Sequence, residues 1–215
     1  MFQLAKNTLL VIPCSGSKQP GNRDAMRTSI LSTLDPNRAS ALANARAALR
    51  ERAMVDERTL MPARQRYSGQ LYEHGNSAIG TALSGGTPVV ILSGGYGLLL
   101  ADEPIGMYER RFSLSDWPRG LLEGCLVDYV RRESIQSVIA LMSSTTDYGK
   151  LIRRVPWRSA GLHVTLLSPI AHGGGAMVKV PRAQGQALAA VVAGDINESW
   201  RSGDGLSVRM ENLGA

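Results

Sequence analysis

The chain has 215 residues, with 24 Lys and Arg against 18 Asp and Glu, a formal net charge of +6. With 44% hydrophobic and 20% charged residues it has an ordinary globular composition, which excludes wholesale disorder. The length suffices to bury a core without disulfides or a structural metal.

No apolar run approaches the ~20 residues of a membrane-spanning helix. Residues 1–10 lack the apolar core and cleavage site of a signal peptide. Cys14 and Cys125 make neither a disulfide framework nor a four-ligand zinc site. A cytoplasmic, reduced protein with no membrane partner is the expectation. The positive charge is left to serve either solubility or nucleic acid.

Residues 9–12, Leu-Leu-Val-Ile, read as a buried strand that runs into the polar loop 13–18. Residues 38–55 are Ala-rich, with Leu42, Leu49 and Ala53 at helical spacing and Asn37 as the expected cap. The whole of 21–61 reads as a basic, mainly helical insertion. Pro62 breaks the chain, and residues 70–83 read as a helix with Leu71, Ile79 and Leu83 inward. A turn at 84–88 leads to a second buried strand, 89–92, which ends in Ser93-Gly94-Gly95-Tyr96-Gly97. Residues 98–117 read as loop. A helix is expected from Pro118 to about residue 132, with Leu122, Cys125, Leu126 and Tyr129 on one side. Residues 138–142 are a third strand, and 148–154 a helix for which Asp147 is a candidate cap. Residues 163–167 are a fourth strand. The glycine loop 173–175 precedes a helix at 181–192. A weak helix and a mobile tail over 203–215 are expected to close the chain.

Continuous apolar strands alternating with helices predict an α/β fold: three layers, with a mostly parallel sheet covered by helices on both faces. A single domain over 1–215 is expected. In such sheets ligands bind beyond the carboxyl ends of the strands. Three strands end in small polar loops, at 13–18, 93–97 and 143–147, so one shared pocket is expected. None of these loops has P-loop or dinucleotide-fingerprint spacing, and zinc-deaminase, zincin and nucleophile-elbow motifs are absent. No cofactor and no metal are therefore expected.

The candidate residues fall in these loops. Cys14 is either a nucleophile activated by nearby Lys18 or a small packed residue. Asp102 is the first candidate for a catalytic carboxylate and Asp147 the second, each with a structural alternative as turn or cap residue. Tyr67, Tyr96, Tyr108 and Tyr148 lie in or beside the loops and are candidates for base or sugar contacts, as Ser15, Lys18 and Ser93 are for polar ones. His172, before the glycines, is a weaker candidate. Arginine outnumbers lysine, and its planar fork suits phosphate. Arg46, Arg50, Arg64, Arg66, Arg110 and Lys150 are the candidates for a nucleic-acid backbone.

Together, Pro13-Cys14-Ser15 with Lys18, Ala63-Arg64 through Tyr67-Ser68-Gly69, and Leu92-Ser93 through Tyr96-Gly97-Leu98, followed by Asp102 and Tyr108, resemble the YaaA-like group of bacterial and phage proteins. The Gly94-Gly95 pair departs from that group's pattern. The resemblance implies an α/β layer fold akin to uracil-DNA glycosylases, with distant similarity to archaeosine-synthase-like domains. It also implies DNA as partner, in peroxide stress, DNA repair or phage defence. The favoured expectation is a DNA N-glycosidase excising a modified base. The alternatives are a non-catalytic DNA-binding stress protein and a nucleotide- or nucleobase-modifying transferase.

Overall fold

The structure, a computed structural model, describes residue 4 and residues 7–22, 28–170 and 174–214. The expectation for His172 falls outside them.

Its centre is β1 (Thr8–Pro13), a run of six buried residues. Because side chains alternate across a strand, a continuous apolar run can only be buried on both faces. Leu9 and Val11 pack into one core, and Leu10 and Ile12 into another. β1 pairs in parallel with β3 (Val89–Ser93) on one side and β6 (Ser137–Leu141) on the other. Beyond β6 lies β7 (His163–Ile170), also parallel. Two antiparallel strands close the edges, β4 (Gly97–Leu100) beside β3 and β8 (Ser207–Asn212) beside β7. The sheet order is β4-β3-β1-β6-β7-β8.

One face is covered by α1 (Pro36–Leu49), α4 (Leu121–Arg132) and α5 (Asp147–Arg154), through Leu42, Leu49, Leu126 and Leu151. The other is covered by α3 (Gln70–Ser84) and α6 (Ala176–Ala193), through Leu71, Ile79, Leu188 and Val191. This is the expected three-layer architecture with a mostly parallel sheet. No helix among the described residues is long and apolar enough to cross a membrane.

Four local expectations are corrected. Asp35, not Asn37, caps α1: its carboxylate accepts from the Asn37 N–H at 3.0 Å, and Pro36 takes the first helical position. The stretch 21–61 is not only helical. It ends in β2 (Asp56–Pro62), which pairs antiparallel with β5 (Pro104–Met107), so part of the segment expected as loop is sheet as well. A single turn, α2 (Ala63–Arg66), follows β2. α1 itself packs on the sheet, with Leu42 and Leu49 fully buried in the core. Finally, the stretch expected as tail supplies β8, which satisfies the open edge of β7.

Candidate functional site

The carboxyl ends of the parallel strands bring the predicted loops together. After β1 the chain turns through Cys14 and Ser15. The Ser15 hydroxyl accepts from the N–H groups of Ser17 and Gly69, at 3.1 and 3.0 Å. The next residues run antiparallel to the segment after α2: Ser68 N–H donates to Ser17 and Gln19 N–H to Arg66, and Lys18 bridges Tyr67. Tyr72 fixes the start of the loop by donating to the Pro13 carbonyl at 2.9 Å.

After β3, the backbone of residues 108–111 lies directly across Ser93-Gly94-Gly95. A Cβ on Gly94 would strike the Arg110 carbonyl, and one on Gly95 would sit 2.8 Å from the Tyr108 ring. That close approach requires the two glycines.

Below this crossing is a buried hydroxyl network. Tyr67 Oη donates to Ser93 Oγ at 3.2 Å and lies 2.9 Å from Tyr108 Oη. Ser93 Oγ donates to Tyr108 Oη at 3.1 Å and accepts from Gly95 and Tyr96 N–H. Burial pushes the Tyr67 and Tyr108 phenols well above their ordinary range, so both are neutral hydrogen-bonding groups at any physiological pH. Lys18 Nζ sits 3.9 Å above the Tyr108 ring and donates to the Gly16 carbonyl at 3.3 Å. Burial lowers its ammonium pKa, and the Cys14 and Glu109 charges partly restore it. Across from it, Cys14 Sγ is 3.1 Å from Tyr148 Oη, and Tyr148 stacks on Phe112 at 4.6 Å. Burial raises the Tyr148 phenol too.

Two cavities open at these strand ends and share Cys14, Ser15, Gly16, Thr146 and Tyr148. The first, about 560 Å³, is charged: Lys18, Glu109, Arg110, Arg111 and Asp147 line it, with Phe112. The second, about 750 Å³, is more apolar and runs between the starts of α3 and α6, past Leu71, Met177, Val178 and Pro181. Both fall in the size range of small-molecule sites. Among the described residues no cluster of three His, Cys, Asp or Glu could hold a metal ion.

Of the sequence candidates, Cys14, Ser15, Lys18 and Tyr148 line a cavity, and Tyr67, Ser93 and Tyr108 form its support. Asp102 is not brought there. It sits in the turn between β4 and β5, half-exposed, with Arg64 Nε 2.6 Å from its carboxylate. Asp147 does line the charged cavity, in the first turn of α5. The hydrogen bond from Lys150 and that from the Leu114 N–H hold its carboxyl below the ordinary range. Tyr96 points away, donating to Glu57 at 3.1 Å and accepting from Gly106 N–H. The aromatic wall is therefore Phe112 with Tyr148, not Tyr67 or Tyr96.

The six cations proposed for a backbone all have internal partners. Arg46 donates to the carbonyls of Tyr96 and Leu98 and pairs with Glu103. Arg50 pairs with Glu57, Arg64 with Asp102, Arg110 with Asp116 and Lys150 with Asp147. Arg66 is buried among the carbonyls of Gln19, Thr59 and Ile105. Sequence reasoning passed over Glu109, Arg111 and Phe112. Their signal was position, directly after Tyr108 in the strand-crossing segment. The Glu109 carboxylate makes no hydrogen bond to any described residue.

The site thus defines a three-layer α/β protein with a charged cavity at the carboxyl end of its parallel strands. No protein-family model matches the chain, and none of the curated proteins matches it.

Proposed function

We propose that this protein is a DNA-acting N-glycosidase that releases a modified base from its deoxyribose. One observation carries the reading. A carboxylate without a hydrogen bond to any described residue, Glu109, and a partly desolvated ammonium, Lys18, line one nucleotide-sized cavity, with Lys18 seated on the ring of Tyr108 in the buried Tyr67–Ser93–Tyr108 network. N-glycosidic cleavage can use that pairing. As the C1′–N bond breaks, its electron pair leaves with the base and the sugar becomes cationic. A carboxylate stabilises that cation and takes a proton from the attacking water. A nearby ammonium stabilises the departing base anion. The Phe112–Tyr148 wall offers a surface for an extruded base. The motif likeness to the YaaA-like group supports DNA as the partner, and two free cysteines fit a reducing cytoplasm. A non-catalytic DNA-binding role draws less support, because the nominated backbone cations are held internally.

The test incubates base-modified duplex and single-stranded DNA with the protein and reads abasic sites by alkaline strand cleavage. Glu109→Gln is expected to lower cleavage by about 10²-fold or more, whereas Asp102→Asn keeps it. No abasic site on any base-modified strand at high protein concentration would remove the proposal.

A further inference from the structure

A third cleft, of about 400 Å³, lies beside the charged cavity and shares Asp147 with it. Trp117, Arg119, Glu123, Lys150 and Arg154 are in its wall. Its charge is arranged unevenly. Asp147 is already engaged by Lys150 at 2.9 Å and by the Leu114 N–H at 3.1 Å. Arg119 and Arg154 are exposed and carry no ion pair. Their guanidinium forks have no acid partner among the described residues, and of the two acids in the wall Asp147 is engaged while Glu123 pairs with no described cation.

Three further N–H groups on its lining residues have no acceptor among the described residues. The Trp117 indole N–H is buried, and no hydrogen-bond partner meets it. α4 starts at Gly120 without a side-chain cap, which leaves the N–H groups of Leu122 and Glu123 without acceptors. Arginine forks beside the open positive end of a twelve-residue helix are the chemistry that binds phosphate.

We propose that this cleft is a phosphate subsite, which holds a phosphodiester of the strand whose neighbouring nucleotide occupies the charged cavity. The identity of the strand rests on the N-glycosidase reading; the anion site itself does not. The position explains how a chain whose nominated backbone cations are internally paired still grips a strand: it does so at the edge formed by α4 and α5. A free nucleotide would offer the same phosphate chemistry, and an acidic peptide would offer carboxylates.

The experiment measures anisotropy of a short fluorescent single-stranded DNA against salt. The proteins are the parent, Arg119→Ala, Arg154→Ala, the double variant, and Arg158→Ala as a basic control that lines no cleft. Circular dichroism melts report folding. The double variant is expected to bind roughly ten-fold more weakly at low salt, and the slope of log affinity against log salt is expected to fall by ~0.7 for the lost phosphate. Arg158→Ala keeps both values. Competition by inorganic phosphate, a nucleoside monophosphate and poly-glutamate distinguishes the sources. Oligonucleotide competing far better than monophosphate supports the strand assignment. Equal competition by monophosphate, or by poly-glutamate, overturns it. A folded double variant with unchanged affinity and slope overturns the subsite. Base release that persists in such a variant leaves the N-glycosidase reading standing, and phosphate-dependent binding without base release leaves the subsite standing.

Discussion

Glu103 is expected to be the side chain whose loss costs the fold most per atom removed. It is only 4% exposed, and both its oxygens are fully used. Oε1 accepts from Ser29 Oγ at 2.9 Å and from Arg46 Nη1 at 3.0 Å. Oε2 accepts from the N–H groups of Ile30 and Leu100, at 2.9 and 3.1 Å. One carboxylate thus joins the β4–β5 turn to the start of the insertion and to α1. Glu103→Ala leaves a largely buried Arg46 without its countercharge and three further donors without an acceptor. Breaking one side of a buried ion pair costs about 3–5 kcal/mol, against a typical total of ~5–15 kcal/mol. For a chain of this size that corresponds to a fall in Tm of roughly 6–20 °C. Glu103→Gln keeps the shape but turns a donor toward donors, so its loss lies between the parent and Ala. Urea unfolding followed by circular dichroism measures both, with the slope m expected unchanged. A Glu103→Ala midpoint shift worth less than about 1 kcal/mol at unchanged m would refute the reasoning.

Three other outcomes are expected. Hydrogen bonds from Arg58 hold the Asp56 carboxyl down at about 2. Its stabilising contribution is therefore complete above the ordinary value of 3.8 and is lost as pH falls through 2. NMR titration of Asp56 should show this, and Arg58→Ala should return it toward the ordinary value; an unchanged titration would break the assignment. Lys18 binds its proton more weakly folded than unfolded, because burial lowers its pKa. Stability gains from Lys18 as pH rises from its folded pKa to the ordinary 10.5, and Lys18→Met should remove that gain in alkaline unfolding curves. A parent curve identical to that of Lys18→Met would count against a desolvated amine. Cys125 is buried in α4, and burial pushes its thiol up to about 11, while Cys14 lines both cavities. A thiol reagent at neutral pH should label Cys14 alone by mass spectrometry until the protein unfolds; early labelling of Cys125 would contradict its placement.

What the sequence disclosed follows from how each strand is buried. β1, β3, β6 and β7 are doubly covered, so their apolar runs announce them. β2 and β8 are edge elements with exposed polar positions, Glu57 and Arg58 in one and Arg209 and Asn212 in the other, and their pairing is set by neighbours far along the chain. Local pattern carries no such signal. The site behaves the same way. Cys14, Ser15, Ser93 and Tyr148 follow strand ends and are legible from the rule for open sheets. Asp102 and Glu109 are only seven positions apart in sequence. Which of them lines the cavity depends on the turn between β4 and β5, which sets Asp102 against Arg64, and on the segment after β5, which carries Glu109 back past the Ser93 loop.

The net charge of +6 also changes meaning. Charge on a chain says nothing of where a cation's partner lies. Arg46 in the basic helix α1 is engaged on the carbonyls behind β4, and Arg50 in the turn that follows is held by Glu57. A buried guanidinium with several acceptors is a structural group, and withdrawing it to meet a phosphate would leave those carbonyls and Glu103 bare. The cations free to meet an incoming anion at the site are instead Arg111, Arg119 and Arg154, on the segment after Tyr108, before α4 and at the end of α5. Under the proposed reading, a strand would run along the α4–α5 edge, beside the cavity that Glu109 and Lys18 line. The same three arginines lie in stretches with no basic run longer than two residues. Basic density along the chain marks both the helix that holds the fold together and the α4–α5 edge, and only the pairing of each cation separates the two.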